Sequence, residues 1–173
     1  VVSDFLPSRF RSFDAGTKPN FYAPSRRRVG VMGDEETERR EAKRALVEAF
    51  STFGSDALRD VWLFDQQGHE RLYVRDDVAE KVADLDVPRF VDNERYGYVT
   101  RDTYRDLYYA DYTYTVRGFD GFEQFRTFLC EEGRRVGAFG SFDRREGGYD
   151  FGALNDALAE IVVDYPFDAF VPE

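Results

Sequence analysis

His69 is the only histidine and Cys130 the only cysteine among the 173 residues. A nucleophilic serine or cysteine needs an imidazole held by a carboxylate, so catalysis of that kind has to pass through His69. His69 falls in Gln66-Gln67-Gly68-His69, a turn between two predicted strands, and no serine is framed as G-x-S-x-G. It reads as a turn residue. Cys130 closes an apolar stretch and reads as a small packed hydrophobe. One His and one Cys fall short of a His/Cys zinc set. Carboxylates number 34, so a pair such as Asp76-Asp77 arises from composition, and Asp77 reads as a helix N-cap. Neither G-x-x-x-x-G-K-[ST] nor G-x-G-x-x-G occurs, and Gly137 and Gly140 read as strand glycines. No catalytic, cofactor-binding or metal-ligating residue is assigned, and no cofactor is expected.

Tyrosine is the residue type left with chemical content. Tyr96, Tyr98, Tyr104, Tyr108, Tyr109, Tyr112 and Tyr114 lie within 19 residues. Its ring offers contact area and its hydroxyl a polar tip, which suits interfaces. Tyr108, Tyr109, Tyr112 and Tyr114 form the candidate interaction surface. The blander reading is a half-buried sheet face under a loop. A third is a ligand cavity lined by tyrosines. Arg117-Gly118-Phe119-Asp120-Gly121-Phe122-Glu123-Gln124-Phe125 has a passing likeness to the aromatic strand of RNA-recognition domains. Asp120-Gly121 interrupts that strand, and the charge is of the wrong sign.

The net charge is −10. Residues 1–31 hold six basic and two acidic side chains, +4, which leaves −14 on the remaining 142 residues. Only three basic residues are lysine, and Asp outnumbers Glu 20 to 14. Carboxylates hold water and keep a surface soluble, and concentrated salt screens their repulsion within a few ångströms. The composition points to a salt-loaded haloarchaeal cytoplasm. It argues against nucleic acid, which calls for a basic stripe. A lone cysteine forms no internal disulfide and fits a reducing compartment. No apolar run approaches the ~18 residues a membrane span needs.

The chain changes character at Met32, its only methionine. Pro7, Pro19 and Pro24 precede it, with Phe5, Phe10, Phe13 and Phe21 in no helical or strand period. Residues 1–31 are expected to be unstructured, either translated upstream DNA or a basic arm, with Met32 the expected initiator. Residues 32–173 are expected to form one acidic domain.

The elements follow from periodicity. Asp34 is the expected N-cap of a first helix. Ala42, Ala45, Leu46, Ala49, Phe50 and Phe53 make one apolar helix face, and Gly54 is the expected stop. Residues 58–65 and 70–76 read as a hairpin. Val78, Val82 and Leu85 mark a helix over 77–85, with Pro88 beyond it. Residues 89–110 read as a short helix and loop. Residues 111–119 are β-branched and aromatic, with Tyr112, Tyr114 and Val116 on one face and Thr113 and Thr115 on the other. Asp120-Gly121 is a two-residue hairpin turn. Strands at 122–129 and 134–143 and a helix over 150–165 complete the chain. The fold class is α+β, with a five-stranded, mainly antiparallel sheet flanked by helices in the order α-ββ-α-βββ-α.

That order resembles roadblock and profilin-like folds and, less closely, sensory domains of the PAS and GAF type. Leu58-Arg59-Asp60-Val61-Trp62-Leu63-Phe64-Asp65, Leu72-Tyr73-Val74-Arg75-Asp76-Asp77-Val78 and Tyr114-Thr115-Val116-Arg117-Gly118-Phe119 resemble small uncharacterised haloarchaeal domains. The resemblance covers most of the chain after Met32 and implies no active residue. The resulting expectation is a non-catalytic interaction or regulatory module of a halophilic archaeon. It would be cytoplasmic, with a homodimer or another protein as partner and neither nucleic acid nor membrane. The alternative is a small-molecule sensor with a tyrosine-lined cavity.

The acidity carries a test. Between 0.1 M and 0.01 M salt the screening length grows roughly threefold, so the melting temperature should climb with KCl concentration. A melting temperature that is flat or falls with added KCl would contradict the halophilic reading.

Overall fold

A computed structural model describes residues 32–107, 109–131 and 134–173. The expectations for residues 1–31 and for Tyr108 lie outside them, as does the side chain of Cys130. The elements run α1 (Met32–Gly54), β1 (Leu58–Phe64), β2 (His69–Val74), α2 (Asp76–Val82), α3 (Val87–Arg105), β3 (Tyr114–Gly118), β4 (Phe122–Glu131), β5 (Arg134–Asp143) and α4 (Phe151–Asp164). A 3-10 turn, Phe167–Phe170, follows. The five strands form one antiparallel sheet in the order β2-β1-β5-β4-β3. The α+β architecture, the strand count and the flanking helices agree with the sequence reading.

α1 and α4 cover one face of the sheet. Ala42, Leu46 and Phe50 of α1 and Leu154 and Leu158 of α4 are buried with Val61, Leu63, Phe125, Leu129, Val136, Ala138 and Phe142. Phe50 stacks on Phe142 at 6.1 Å, and Phe125 on Phe151 at 5.7 Å. Burying such side chains contributes about 1.5–3 kcal/mol each, so this face supplies most of the apolar stabilisation. Gly140 sits under Phe50, where a Cβ would come within 2.7 Å of the ring.

Gly54 serves a different purpose from the one expected. Its φ is −89°, so it makes no left-handed cap. A Cβ on it would lie 2.6 Å from Phe142, so the small residue permits close packing. The left-handed residue is Ser55, with φ +50°. Asp34 likewise lies within the first turn of α1, where a carboxylate complements the helix dipole. At the other end, Asp150 caps α4 by accepting from the Ala153 N–H at 3.1 Å.

The main difference concerns residues 87–105. They form a 19-residue helix, not a short helix and loop. Pro88 opens this helix, and the Asp86 carboxylate accepts from the Arg89 N–H. The segment lacks a recognisable apolar stripe because its inward residues are Val91, Glu94, Gly97 and Tyr98, two of them not hydrophobic. α3 lies on the second face of the sheet, with Val87, Val91 and Tyr98 against Trp62, Phe64, Phe128 and Phe139.

Phe64 is paired with Gly137 across β1 and β5 on that second face. A Cβ at Gly137 would enter the Phe64 ring. Gly137→Ala should therefore destabilise the fold by about 1–3 kcal/mol through overpacking. Denaturant midpoints measure this, and an unchanged midpoint would show that Phe64 has room to move.

Candidate functional site

The second face carries polar residues in register. Asp60, Ser141, Gln124 and Arg117 are neighbours on β1, β5, β4 and β3. The next row is Trp62, Phe139, Arg126 and Thr115. Alternation along each strand puts these side chains on one side, and α3 crosses above them.

Glu94 of α3 meets this surface at 3% exposure and Arg126 of β4 at 4%. Arg126 donates to the Glu94 carboxylate at 3.4 Å and to the Glu94 carbonyl at 3.3 Å. It also donates to the Tyr112 hydroxyl at 3.2 Å and to Thr115 Oγ1 at 3.0 Å. Arg117 of β3 donates to the other oxygen of Glu94. One carboxylate thus serves two guanidinium groups. Gly97 is the reason the helix comes so near, since a Cβ there would strike the Arg126 guanidinium. Further along α3, Arg95 donates to the carbonyls of Asp65 at 2.7 Å and Gly68 at 3.0 Å. Arg135 of β5 donates to Asp102 at 2.8 Å.

Of the tyrosines expected to form one surface, Tyr112 and Tyr114 lie on different faces of the sheet. Tyr112 precedes β3, which starts only at Tyr114, so period-two alternation does not reach it. Its ring stacks on Tyr104 at 5.7 Å, and its hydroxyl bonds Thr115 and Arg126 beside α3. Tyr114 turns to the opposite face and packs 5.5 Å from Phe125. Tyr109 is 72% exposed in the described residues. Tyr98 is packed solid, its ring 4.6 Å from Phe128. Two surface hollows of about 440 and 410 Å³ lie between α1 and α4 and beside Gln66, Arg134 and Phe167. Among the described residues, no tyrosine lines either of them.

Sequence reasoning missed Glu94, Arg117 and Arg126. The available signals were an arginine inside the apolar 122–129 strand and a glycine inside a helical segment, which marks close approach. His69 lies 6.2 Å from Trp62 on the second face. Its neighbour Glu70 accepts from Lys43 of α1 at 2.6 Å on the other face. Among the described residues, no group of three or more His, Cys, Asp or Glu is placed to hold a metal ion. Nor is any helix there long and apolar enough to cross a membrane.

A second ionic group joins the end of the sheet to α2. Asp143 of β5 accepts from Arg59 and Arg75, each at 2.7 Å, and Arg75 also grips Asp77 at 2.5 Å. Hydrogen bonds from Arg75 and then Lys81 hold the exposed Asp77 carboxyl below its ordinary range. Burial pushes Asp143 up, but Arg59 and Arg75 outweigh it and the net shift is downward. Asp60 moves the other way. Burial raises its carboxyl against the hydrogen bond from Ser141, at 2.7 Å.

These features define a small α+β domain on a five-stranded antiparallel sheet, with a buried ionic seam under one crossing helix. The chain belongs to the family described as a domain of unknown function (DUF7522), whose model matches residues 44–163. The three sequence segments that resemble uncharacterised domains all lie inside that range. The comparison with curated proteins found no match.

The raised Asp60 carboxyl gives a pH test. A raised acid favours the folded state most below its ordinary value of 3.8, and that advantage is lost as pH rises through the folded pKa. Asp60→Asn keeps an acceptor for Ser141 and removes the loss. The variant should gain stability relative to wild type as pH rises from about 4 to about 7. Asp77 and Asp143 act oppositely but equally in both proteins. Denaturant midpoints at the two pH values decide, and a variant that loses ground between them contradicts the assignment.

Proposed function

We propose that the domain is a non-catalytic interaction module of a salt-loaded haloarchaeal cytoplasm, and that it pairs with a second copy of itself through the free edge of β3. One observation carries this reading: β3 is the last strand of the sheet and, among the described residues, is bonded only to β4. The Phe119 N–H donates to the Phe122 carbonyl at 2.8 Å, which makes that pair a hydrogen-bonded one. Alternation then points the backbone N–H and C=O of Arg117 and Thr115 at β4, and those of Gly118, Val116 and Tyr114 away from it. Their backbone N–H and C=O groups form a template for another strand.

The composition of the edge supports the same reading. Neither proline nor lysine blunts it, and Val116 is 36% exposed, with Phe119 exposed just past the strand end. The two-fold pairing would join two five-stranded sheets into one and satisfy the outward groups. A stable dimer buries about 800 Å² per partner. Tyr104 of α3, 45% exposed and stacked on Tyr112, adds apolar area near the start of the edge strand. The roadblock-like element order is consistent with such an arrangement.

Light scattering in multimolar KCl tests it. The wild type should be a dimer, and Val116→Pro a folded monomer, because its proline ring replaces an outward N–H and leaves the β3–β4 bonds intact. Thr115→Pro would instead remove a bond to β4 and weaken the sheet itself. A monomeric wild type, or an unchanged dimer in Val116→Pro, ends the proposal.

A further inference from the structure

We propose that α3 is a detachable cover, which lifts from the sheet as a unit while the α1–α4 side stays folded, and so uncovers the aromatic strip Trp62, Phe64, Phe128 and Phe139. The inference rests on how the two faces are held. The α1–α4 face is joined by a continuous apolar cluster. The α3 face has a small one, to which the helix contributes Val87, Val91 and Tyr98. Most of the attachment is polar. Glu94 lies between Arg126 and Arg117, Arg95 holds the β1–β2 turn, and Asp102 meets Arg135.

Polar attachment of this kind opens differently from an apolar core. When the helix lifts, a buried carboxylate shared by two guanidinium groups exposes all three charges to water. Water solvates the freed charges, which offsets much of the lost contact. The seam is also incompletely paired. Arg126 Nε and Asp102 Oδ1 are buried and hydrogen-bond to nothing among the described residues, and half-satisfied networks hold weakly. Elements with few buried apolar contacts are the ones that open below the global unfolding free energy. The strip beneath is continuous: Trp62 stacks on Phe139 at 6.0 Å, Phe139 lies 5.9 Å from Phe64, and Phe64 lies 6.1 Å from Phe128. The inference stands whether or not the chain dimerises through β3.

The protein carries its own reporter. Trp62 is the only tryptophan, is 9% exposed and belongs to the cluster that α3 covers. The experiment is native-state hydrogen exchange on the full chain in multimolar KCl, with acrylamide quenching of Trp62 alongside. In the wild type the amides of residues 87–105 should exchange through an opening smaller than the one that exposes β5 and α4. Glu94→Gln leaves Arg117 and Arg126 without a counter-charge. It should speed exchange in α3 by about a hundredfold and raise the quenching of Trp62, while β5 and α4 keep their protection. The proposal fails if α3 and β5 exchange through one common opening in the wild type. It fails equally if Glu94→Gln leaves α3 exchange unchanged, or if that variant loses the α1–α4 side together with α3.

Discussion

β2 and β3 stand at opposite edges of the sheet, yet they are consecutive strands, and the chain between them has to cross the other three. At about 4.8 Å per strand the crossing is about 19 Å, which a 19-residue helix of about 28 Å spans. Much of the molecule follows from this constraint. The crossing segment becomes a cover for the second face, the first face is left to α1 and α4, and β3 becomes an edge. A fold with β2 and β3 adjacent would need none of these features.

The two faces are held by different forces. On the first, phenylalanines from four elements interlock: Phe50 of α1, Phe125 of β4, Phe142 of β5 and Phe151 of α4. On the second, the helix that makes the crossing presents a carboxylate to two arginines. In an acidic chain the cations sit where elements meet. Lys43 joins α1 to β2, Arg59 and Arg75 join strands to α2 through Asp143 and Asp77, and Arg117, Arg126 and Arg135 join strands to α3. Paired and partly buried charges are screened little by salt, unlike surface charges, so these seams and the acidic exterior answer to ionic strength separately.

The edge and the cover share residues. Thr115 and Arg117 turn one side of β3 toward α3 and the Arg126 cluster, while Val116 faces the other way. Tyr112 links both through its hydroxyl. The tyrosine-rich segment is therefore a junction between crossing helix and edge strand. Tyr104 and Tyr112 stack within it, and Tyr109 reaches out of it.

Much of this was determined by the sequence itself. The apolar period of α1 and α4, the Asp120-Gly121 turn and the run of β-branched and aromatic strands dictate an antiparallel α+β sheet, because local burial patterns repeat at 3.6 or 2 residues. α3 escaped that reading because Glu94 and Gly97 occupy the positions where a periodic helix would place hydrophobes. Gly54 looked like a left-handed stop for a similar reason, since sequence does not reveal that Phe142 lies against it. The partnership of Glu94 with Arg117 and Arg126 joins residues 23 and 32 positions apart. Tyr112 and Tyr114 part to opposite faces because the strand begins between them. Only the tertiary structure decides such matters. A buried charge declares its role through the partner brought to it, and that partner is chosen by strand order and by the path of the crossing helix, neither of which leaves a period in the chain.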